Sequence, residues 1–185
     1  MMRVSIDLDN TIFNLNELYV DACKMYNYPY KAPTSWDMFK CYPASIAQEL
    51  YNMFRTDAIY KTSLLHKDIP YILNSVYNHS NFKLFYITER AIVDESRDRK
   101  QLTDAGILCA PDRIVDVKPK IKALKDYQIE LHVDDSPKII QDCIDNHIDC
   151  LMISNDNTPY NHSMRQYVKH YPDLITALTQ RGLVR

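Results

Sequence analysis

The sequence predicts an α/β fold: a Rossmann-like parallel sheet with helices on both faces and a small helical cap inserted after the first strand. Two observations predict it. Short apolar runs alternate with helical patterns along most of the chain, which gives a parallel sheet covered on both sides. The stretch from about Asn14 to His79 breaks that alternation, being helical in pattern and free of strands. The chain therefore divides into an α/β core of residues 1–13 and 80–185 and a cap of residues 14–79.

The elements follow in order. "RVSIDL" reads as a short buried strand. In "FNLNELYVDACKMYNY", Leu15, Leu18, Tyr19, Ala22, Met25 and Tyr26 recur at helical spacing. "PYKAPTSWDMFKCYP" is rich in proline and aromatics and reads as irregular. "ASIAQELYNMFR" and "DIPYILNSVYNH" read as helices, the second with a proline near its start. The strand Phe82–Thr88 leads to a helix from about Arg90 to Ala105, stopped by Gly106. "RIVDV" is a strand, "PKIKALKDY" a helix, and "IELHVDD" (Ile129 to Asp135) the next strand. "PKIIQDCIDN" is a helix that begins at a proline, and "DCLMIS" is the last strand. The tail from His162 to Leu178 is predicted to be helical.

Composition removes several classes of function. A chain of 185 residues suits one domain with a sizeable core and a small insertion. The net charge is −2 and there is no long basic run, which argues against binding duplex nucleic acid by bulk electrostatics. With only two glycines, Gly106 and Gly182, a glycine-rich phosphate loop is excluded. Five cysteines, an odd number without a C-x-x-C pair, point to free thiols in a reducing cytosol. The N-terminus enters a strand directly, without a signal peptide, and no apolar run approaches membrane-spanning length. A cytoplasmic protein with no membrane partner is expected. The six histidines show no ligand spacing and read as scattered surface or satisfied core residues. The sequence leaves the oligomeric state open.

In open α/β sheets, ligands bind beyond the carboxyl ends of the strands, and polar groups gather there in this chain. The first strand ends in Asp7-Leu8-Asp9-Asn10-Thr11, the second in Thr88-Glu89-Arg90, and another in Asp134-Asp135-Ser136. Lys118 and Lys120 start the helix before that last strand. Each motif alone has a plain structural reading. Asp7 and Asp9 can cap a turn, Thr88 can cap a helix, Asp134-Asp135-Ser136-Pro137 can be a helix start, and the lysines can be a solvated face. Jointly these readings fail, because clustered carboxylates repel unless a cation sits among them.

The order D-x-D-x-T, then a threonine after a strand, then a lysine, then D-D resembles the haloacid dehalogenase superfamily of phosphohydrolases. The resemblance covers nearly the whole chain, and "DLDNT" with "HVDDSP" carries it. Asn10 stands where many members have glycine. The resemblance implies that Asp7 is the nucleophile of an aspartyl-phosphate mechanism. Asp9 is then the general acid and base, on a strand already bending into a loop that Thr11 helps to fix. Thr88 and Lys120 would bind the phosphate; Lys120, followed by Lys125, fits the family spacing, and Lys118 is the fallback. Magnesium suits ligands that are all oxygens. It would take the Asp7 carboxylate, the Asp9 backbone carbonyl and Asp135, with Asp134 acting directly or through water.

The small helical insertion corresponds to a cap over the site. Within the superfamily the sequence is similar to the 5′(3′)-deoxyribonucleotidases, through "TSWDMFK" (Thr34 to Lys40) and "HVDDSP". The expected substrate is accordingly a small-molecule phosphate ester, a (deoxy)nucleoside monophosphate. Trp36 and Phe39 either stack on its base or pack the cap core. The alternatives are a phosphatase for another small phosphoester or a nucleic-acid 3′-phosphate, and a non-catalytic phosphoacceptor or binding domain. A phosphoacceptor domain would carry its lysine after the acids, whereas here a D-D pair follows it. A silent fold is expected to lose Asp7 or Asp9, and both are present.

Overall fold

A computed structural model of the protein describes residues 1–33, 35 and 39–184. Among them, six strands form one sheet: β1 (Met2–Ile6), β2 (Phe82–Thr88), β3 (Ile114–Asp116), β4 (Leu131–Asp134), β5 (Asp149–Ile153) and β6 (His170–Tyr171). Their order is β3-β2-β1-β4-β5-β6, and every neighbouring pair is parallel. The sheet turns back on itself beside β1, between β2 and β4, and a parallel sheet opens its ligand crevice at such a point. Ile6 pairs with Tyr86 on one side and Val133 on the other, so the residues after Ile6, Thr88 and Val133 leave the sheet at one edge.

The described residues also form seven α-helices: α1 (Leu15–Met25), α2 (Ala44–Met53), α3 (Ile69–Asn78), α4 (Glu95–Asp104), α5 (Lys120–Asp126), α6 (Pro137–Asp145) and α7 (Leu174–Gln180). The two sheet faces fill differently. Val4, Ile6, Leu84, Tyr86, Leu131, Val133, Leu151 and Ile153 point to one face, against α3 and α7. Phe85, Ile87, Cys150 and Met152 point to the other, against α5 and α6. The period of two along each strand sends alternate side chains to opposite faces, and both faces are covered.

The segment expected as a single cap, residues 14–79, divides. Described residues between Leu15 and Tyr60 form a hydrophobic cluster of their own, with Leu18, Tyr19, Ala22, Phe39, Tyr42, Leu50 and Phe54 at its centre. In α3, by contrast, Ile69, Leu73 and Val76 are buried in the core of the sheet. Their 4- and 3-residue spacing makes one apolar stripe, and it lies on β2.

Three further expectations are corrected. The helix after β2 begins at Glu95 rather than near Arg90, because the Asp94 carboxylate caps it by accepting from the Arg97 backbone N–H. The tail is not one helix. A 3-10 helix (Pro159–Gln166) is followed by the two-residue strand β6 and then by α7, whose start is fixed by Asp173 accepting from the Thr176 N–H. The hydroxyl of Thr11, expected to fix the loop after β1, is buried with no hydrogen-bond partner among the described residues. Backbone bonds hold that loop instead: Asn10 N to Phe13 O at 2.7 Å, and Ile12 N and Phe13 N to Leu8 O at 2.9 and 2.8 Å.

None of the five cysteines is in a disulfide, and no helix among the described residues is long and apolar enough to cross a membrane. If α3 belongs to the sheet core, Leu73→Ala leaves a cavity there and lowers global stability by about 2–5 kcal/mol. Denaturant unfolding measures the loss, and a change below about 0.5 kcal/mol would contradict this placement.

Candidate active site

β1 delivers Asp7 to the middle of the sheet edge, and its N–H donates to Val133 O at 2.9 Å. A strand that continued would turn Asp7 and Asp9 to opposite faces, but the chain turns at once. Asn10 takes φ +55°, a left-handed conformation that asparagine tolerates better than most residues. That accounts for asparagine where the resemblance leads one to expect glycine. The Asn10 side chain adds a bond, its Nδ2 donating to the Tyr160 hydroxyl at 3.0 Å.

β4 delivers the second acid pair. Asp134 is fully engaged: one oxygen accepts from Lys120 Nζ at 2.6 Å and from His132 Nε2 at 2.9 Å, and the other accepts from Ser136 N at 2.7 Å. His132, buried in the strand, meets the Ser5 hydroxyl at 2.8 Å through its other ring nitrogen. Burial lowers the imidazole pKa, so His132 is neutral. Its Nε2–H then donates to Asp134, and its Nδ1 accepts from Ser5. Asp135 accepts a hydrogen bond from the Tyr160 hydroxyl, while its backbone carbonyl accepts from Asn161 Nδ2 at 2.7 Å. Ser136 caps α6, with Pro137 in the first turn.

Lys120 begins α5 and is buried, with Nζ 2.6 Å from both Asp7 and Asp134. Lys118 is exposed and lines the mouth of the same cavity. Carboxylate oxygens of Asp7, Asp134 and Asp135 lie within 4.8 Å of one another, all buried. Three acids thus share one ammonium. Burial raises the Asp7 pKa to about 7, with Lys120 opposing the shift and Asp134 adding to it. Burial and the two neighbouring acids push Asp135 up as well. Asp134 goes the other way: burial would raise it, but Lys120 and His132 hold it below the ordinary carboxylate range. The charge shortfall falls on Asp7 and Asp135. Those buried, all-oxygen donors fit a hard divalent cation.

Asp9 stands apart from this cluster. Its carboxylate takes both oxygens to Arg90, at 2.6 Å to Nη2 and 3.1 Å to Nε. The expectation for Asp9 as a metal ligand concerned its backbone carbonyl, and the side chain leaves that open. Thr88 is buried at the end of β2 and lines the cavity; with α4 starting seven residues later, it caps no helix. Phe39 lines the same cavity and also packs in the cap cluster, its ring centroid 5.2 Å from Phe54 and 5.8 Å from Tyr19. Trp36 lies outside the described residues.

Sequence reasoning missed Arg90 and Tyr160, whereas His132 is the satisfied core histidine expected, placed against Asp134. Arg90 had one signal, its place directly after a strand end that also carries Thr88. Tyr160, reached through the irregular segment after β5, had none.

The cavity over Asp7 measures about 370 Å³, within the range that takes a small organic ligand. Its floor is polar, formed by Asp7, Asp9, Thr88, Lys120 and Asp134, and its wall is apolar, from Leu15, Phe39, Tyr51, Phe54 and Ile59 of the cap.

No protein-family model and no curated protein matches the sequence. Solved structures do match the fold along nearly all of both chains. A haloacid dehalogenase-like hydrolase from Streptococcus pneumoniae aligns with TM-score 0.66 at 14% identity, over 98% of each chain. A putative haloacid dehalogenase-like hydrolase from Bacillus subtilis, solved bound to magnesium, aligns with TM-score 0.60 at 15% identity, again over 98% of each. A putative β-phosphoglucomutase from Thermotoga maritima aligns with TM-score 0.62 at 12% identity, over 97% of this chain and 99% of its own. At such identities the likeness establishes the fold: this chain has the haloacid dehalogenase-like α/β fold with a helical cap.

The opposite pKa directions predict opposite stability effects in chelator at neutral pH. Asp7→Asn removes a buried charge that Lys120 offsets only in part and keeps or raises the melting temperature. Asp134→Asn strips Lys120 and His132 of their shared acceptor and costs about 1–3 kcal/mol. Thermal melts of the two variants decide it, and the reverse order would contradict the charge distribution.

Proposed function

We propose that the protein is a magnesium-dependent phosphomonoesterase of the haloacid dehalogenase superfamily, acting on nucleoside monophosphates in the cytoplasm. One observation carries the reading: the Asp7 carboxylate lies at the floor of a cavity, next to a buried lysine and two further acids, beneath an aromatic wall. The order of those groups along the chain, their strand-end positions and the fold of the solved hydrolases support it.

In this reading the phosphoryl group of the substrate lies over Asp7, with its oxygens bound by the Thr88 hydroxyl and the Lys120 ammonium. Asp7 attacks phosphorus, and the bond to the leaving oxygen breaks as Asp9 gives that oxygen a proton. Asp9, now ionised, takes a proton from the water that attacks the aspartyl-phosphate. Asp7 and phosphate are released. Asp7 and Asp135, with the Asp9 backbone carbonyl, would hold the magnesium ion, with Asp134 joining directly or through water. When bound, the ion offsets charge so that an anionic nucleophile can approach an anionic phosphate. Asp134, its oxygens occupied by Lys120, His132 and Ser136, chiefly places the lysine.

The choice of a nucleotide rests on the cap. Phe39, Tyr51 and Phe54 give the cavity a wall suited to a planar base, and the Thr34–Lys40 segment carries the resemblance to nucleotidases. Base stacking on aromatic side chains contributes about 1–3 kcal/mol per base.

A panel of nucleoside monophosphates and small phosphate esters, assayed for phosphate release, tests the substrate class. The expected result is turnover of nucleotides that chelation abolishes, magnesium restores and zinc restores poorly. Asp7→Asn abolishes it with the fold intact. Turnover by pure Asp7→Asn protein would refute the nucleophile assignment. Full activity after exhaustive chelation would refute the metal.

Lysine register is tested by kcat/KM. Lys120→Ala should lose on the order of 100-fold or more, as expected for removing a group that meets developing charge. Lys118→Ala should lose much less, and the reverse order would shift the phosphate site by two residues.

A further inference from the structure

Arg90 follows the end of β2; it is buried and borders the cavity beside Asp9, with its side-chain donors turned to protein groups. Its side chain is fully covered and its donors are directed to three partners. Nε and Nη2 take the two oxygens of Asp9, and Nη1 donates to Asp98 at 2.7 Å and to Gln101 at 2.9 Å. Asp98 and Gln101 lie one turn apart on the inner face of α4 and are both buried. Gln101 extends the chain of contacts, its Nε2 donating to the Thr62 hydroxyl at 3.1 Å and to Ile59 O at 3.3 Å, in the segment where the cap rejoins the core. The Tyr60 ring of that segment lies under the guanidinium, 5.3 Å from its centre. A planar fork that meets both oxygens of a carboxyl group fixes its orientation, which a lysine cannot do, and it leaves each oxygen a second lone pair on which the acid form carries its proton.

We propose that Arg90 is a positioning residue: it aims the Asp9 carboxylate at the leaving oxygen and is itself fastened, through Gln101, to the base of the cap. The inference rests on the role of Asp9 as general acid stated above. It goes further by naming what holds that acid and what the acid's position depends on. Asp9 lies in the tight turn that follows β1, and the backbone of Asn10 next to it is left-handed. Among the described residues, Arg90 makes the side-chain hydrogen bonds that fix it. Burial lowers the guanidinium pKa, but Asp9 and Asp98 more than offset this, so the fork stays charged.

A merely structural arginine would, when changed, damage all substrates alike. A residue that aims the acid damages most the substrates that need the acid. The test compares kcat/KM, which reads the first phosphoryl transfer, for a nucleoside monophosphate with its alkoxide leaving group and for 4-nitrophenyl phosphate, whose leaving group needs little protonation. Asp9→Asn is measured first. If it shows no preference between the two, the acid assignment fails and this inference with it. With that preference established, Arg90→Lys should lose at least about tenfold more on the nucleotide than on the aryl ester, within the span general acid catalysis supplies. The double variant should lose little beyond Asp9→Asn alone, because Arg90 acts through Asp9. Equal losses on both esters, or losses that multiply in the double variant, would overturn the proposal while leaving Asp9 as the acid. Should Arg90→Lys not fold, Gln101→Met keeps the Arg90–Asp9 pair and cuts only its tether. It should show the same preference, smaller, and again no added loss over Asp9→Asn. A loss independent of the leaving group would refute it.

Discussion

The Lys120 ammonium lies 2.6 Å from Asp7 and 2.6 Å from Asp134, buried at the floor of the cavity, and the site is organised around that contact. One cation among three buried acids cannot neutralise them. It meets Asp7 and Asp134 equally, but Asp134 has two further donors, so Asp7 and Asp135 are left short of positive charge. Buried acids in excess of the cations that serve them are electrostatically costly, and a divalent cation would offset that cost. The stability of the fold and the chemistry of the cavity are therefore set by the same groups. Replacing Lys120 would unbalance both.

The sheet makes this arrangement possible. Parallel strands end at one edge, so β1, β2 and β4, far apart in sequence, present Asp7, Thr88 and Asp134 side by side. Helix α5 adds the lysine from the following layer. The left-handed turn at Asn10 separates two acids only two residues apart into different environments. Asp7 faces the lysine and the acid cluster, whereas Asp9 faces an arginine. Two carboxylates in two settings can take two roles, one as nucleophile and one as proton carrier. The cap closes the cavity with aromatic side chains whose main packing partners are each other.

Much of this was legible in the sequence, and the reasons are physical. β2 matches its expected span of Phe82 to Thr88, because a run buried on both faces has no other apolar use. The acid motifs were legible because charge at the end of a buried strand needs a cation. What the sequence hid were elements whose partners lie far away. α4 has a polar sequence and reads as a surface helix, yet Asp98 and Gln101 are buried against Arg90, and a buried polar stripe looks the same in sequence as a solvated one. The helical pattern of α3 says that it has an apolar face, not whether that face meets the cap or the sheet. β6 spans two residues, too few for any periodicity, and Tyr160 reaches Asp135 across 25 positions of chain.

The central claim is that Asp7 carries the phosphoryl group. Acid quenching of the protein during turnover of a phosphate monoester with magnesium, followed by mass spectrometry of the N-terminal peptide, measures it directly. The account predicts one phosphoryl group on Asp7 at early times, absent without magnesium and absent in Asp7→Asn. Steady phosphate release with no phosphoryl group on Asp7, or with the group on another residue, would contradict it.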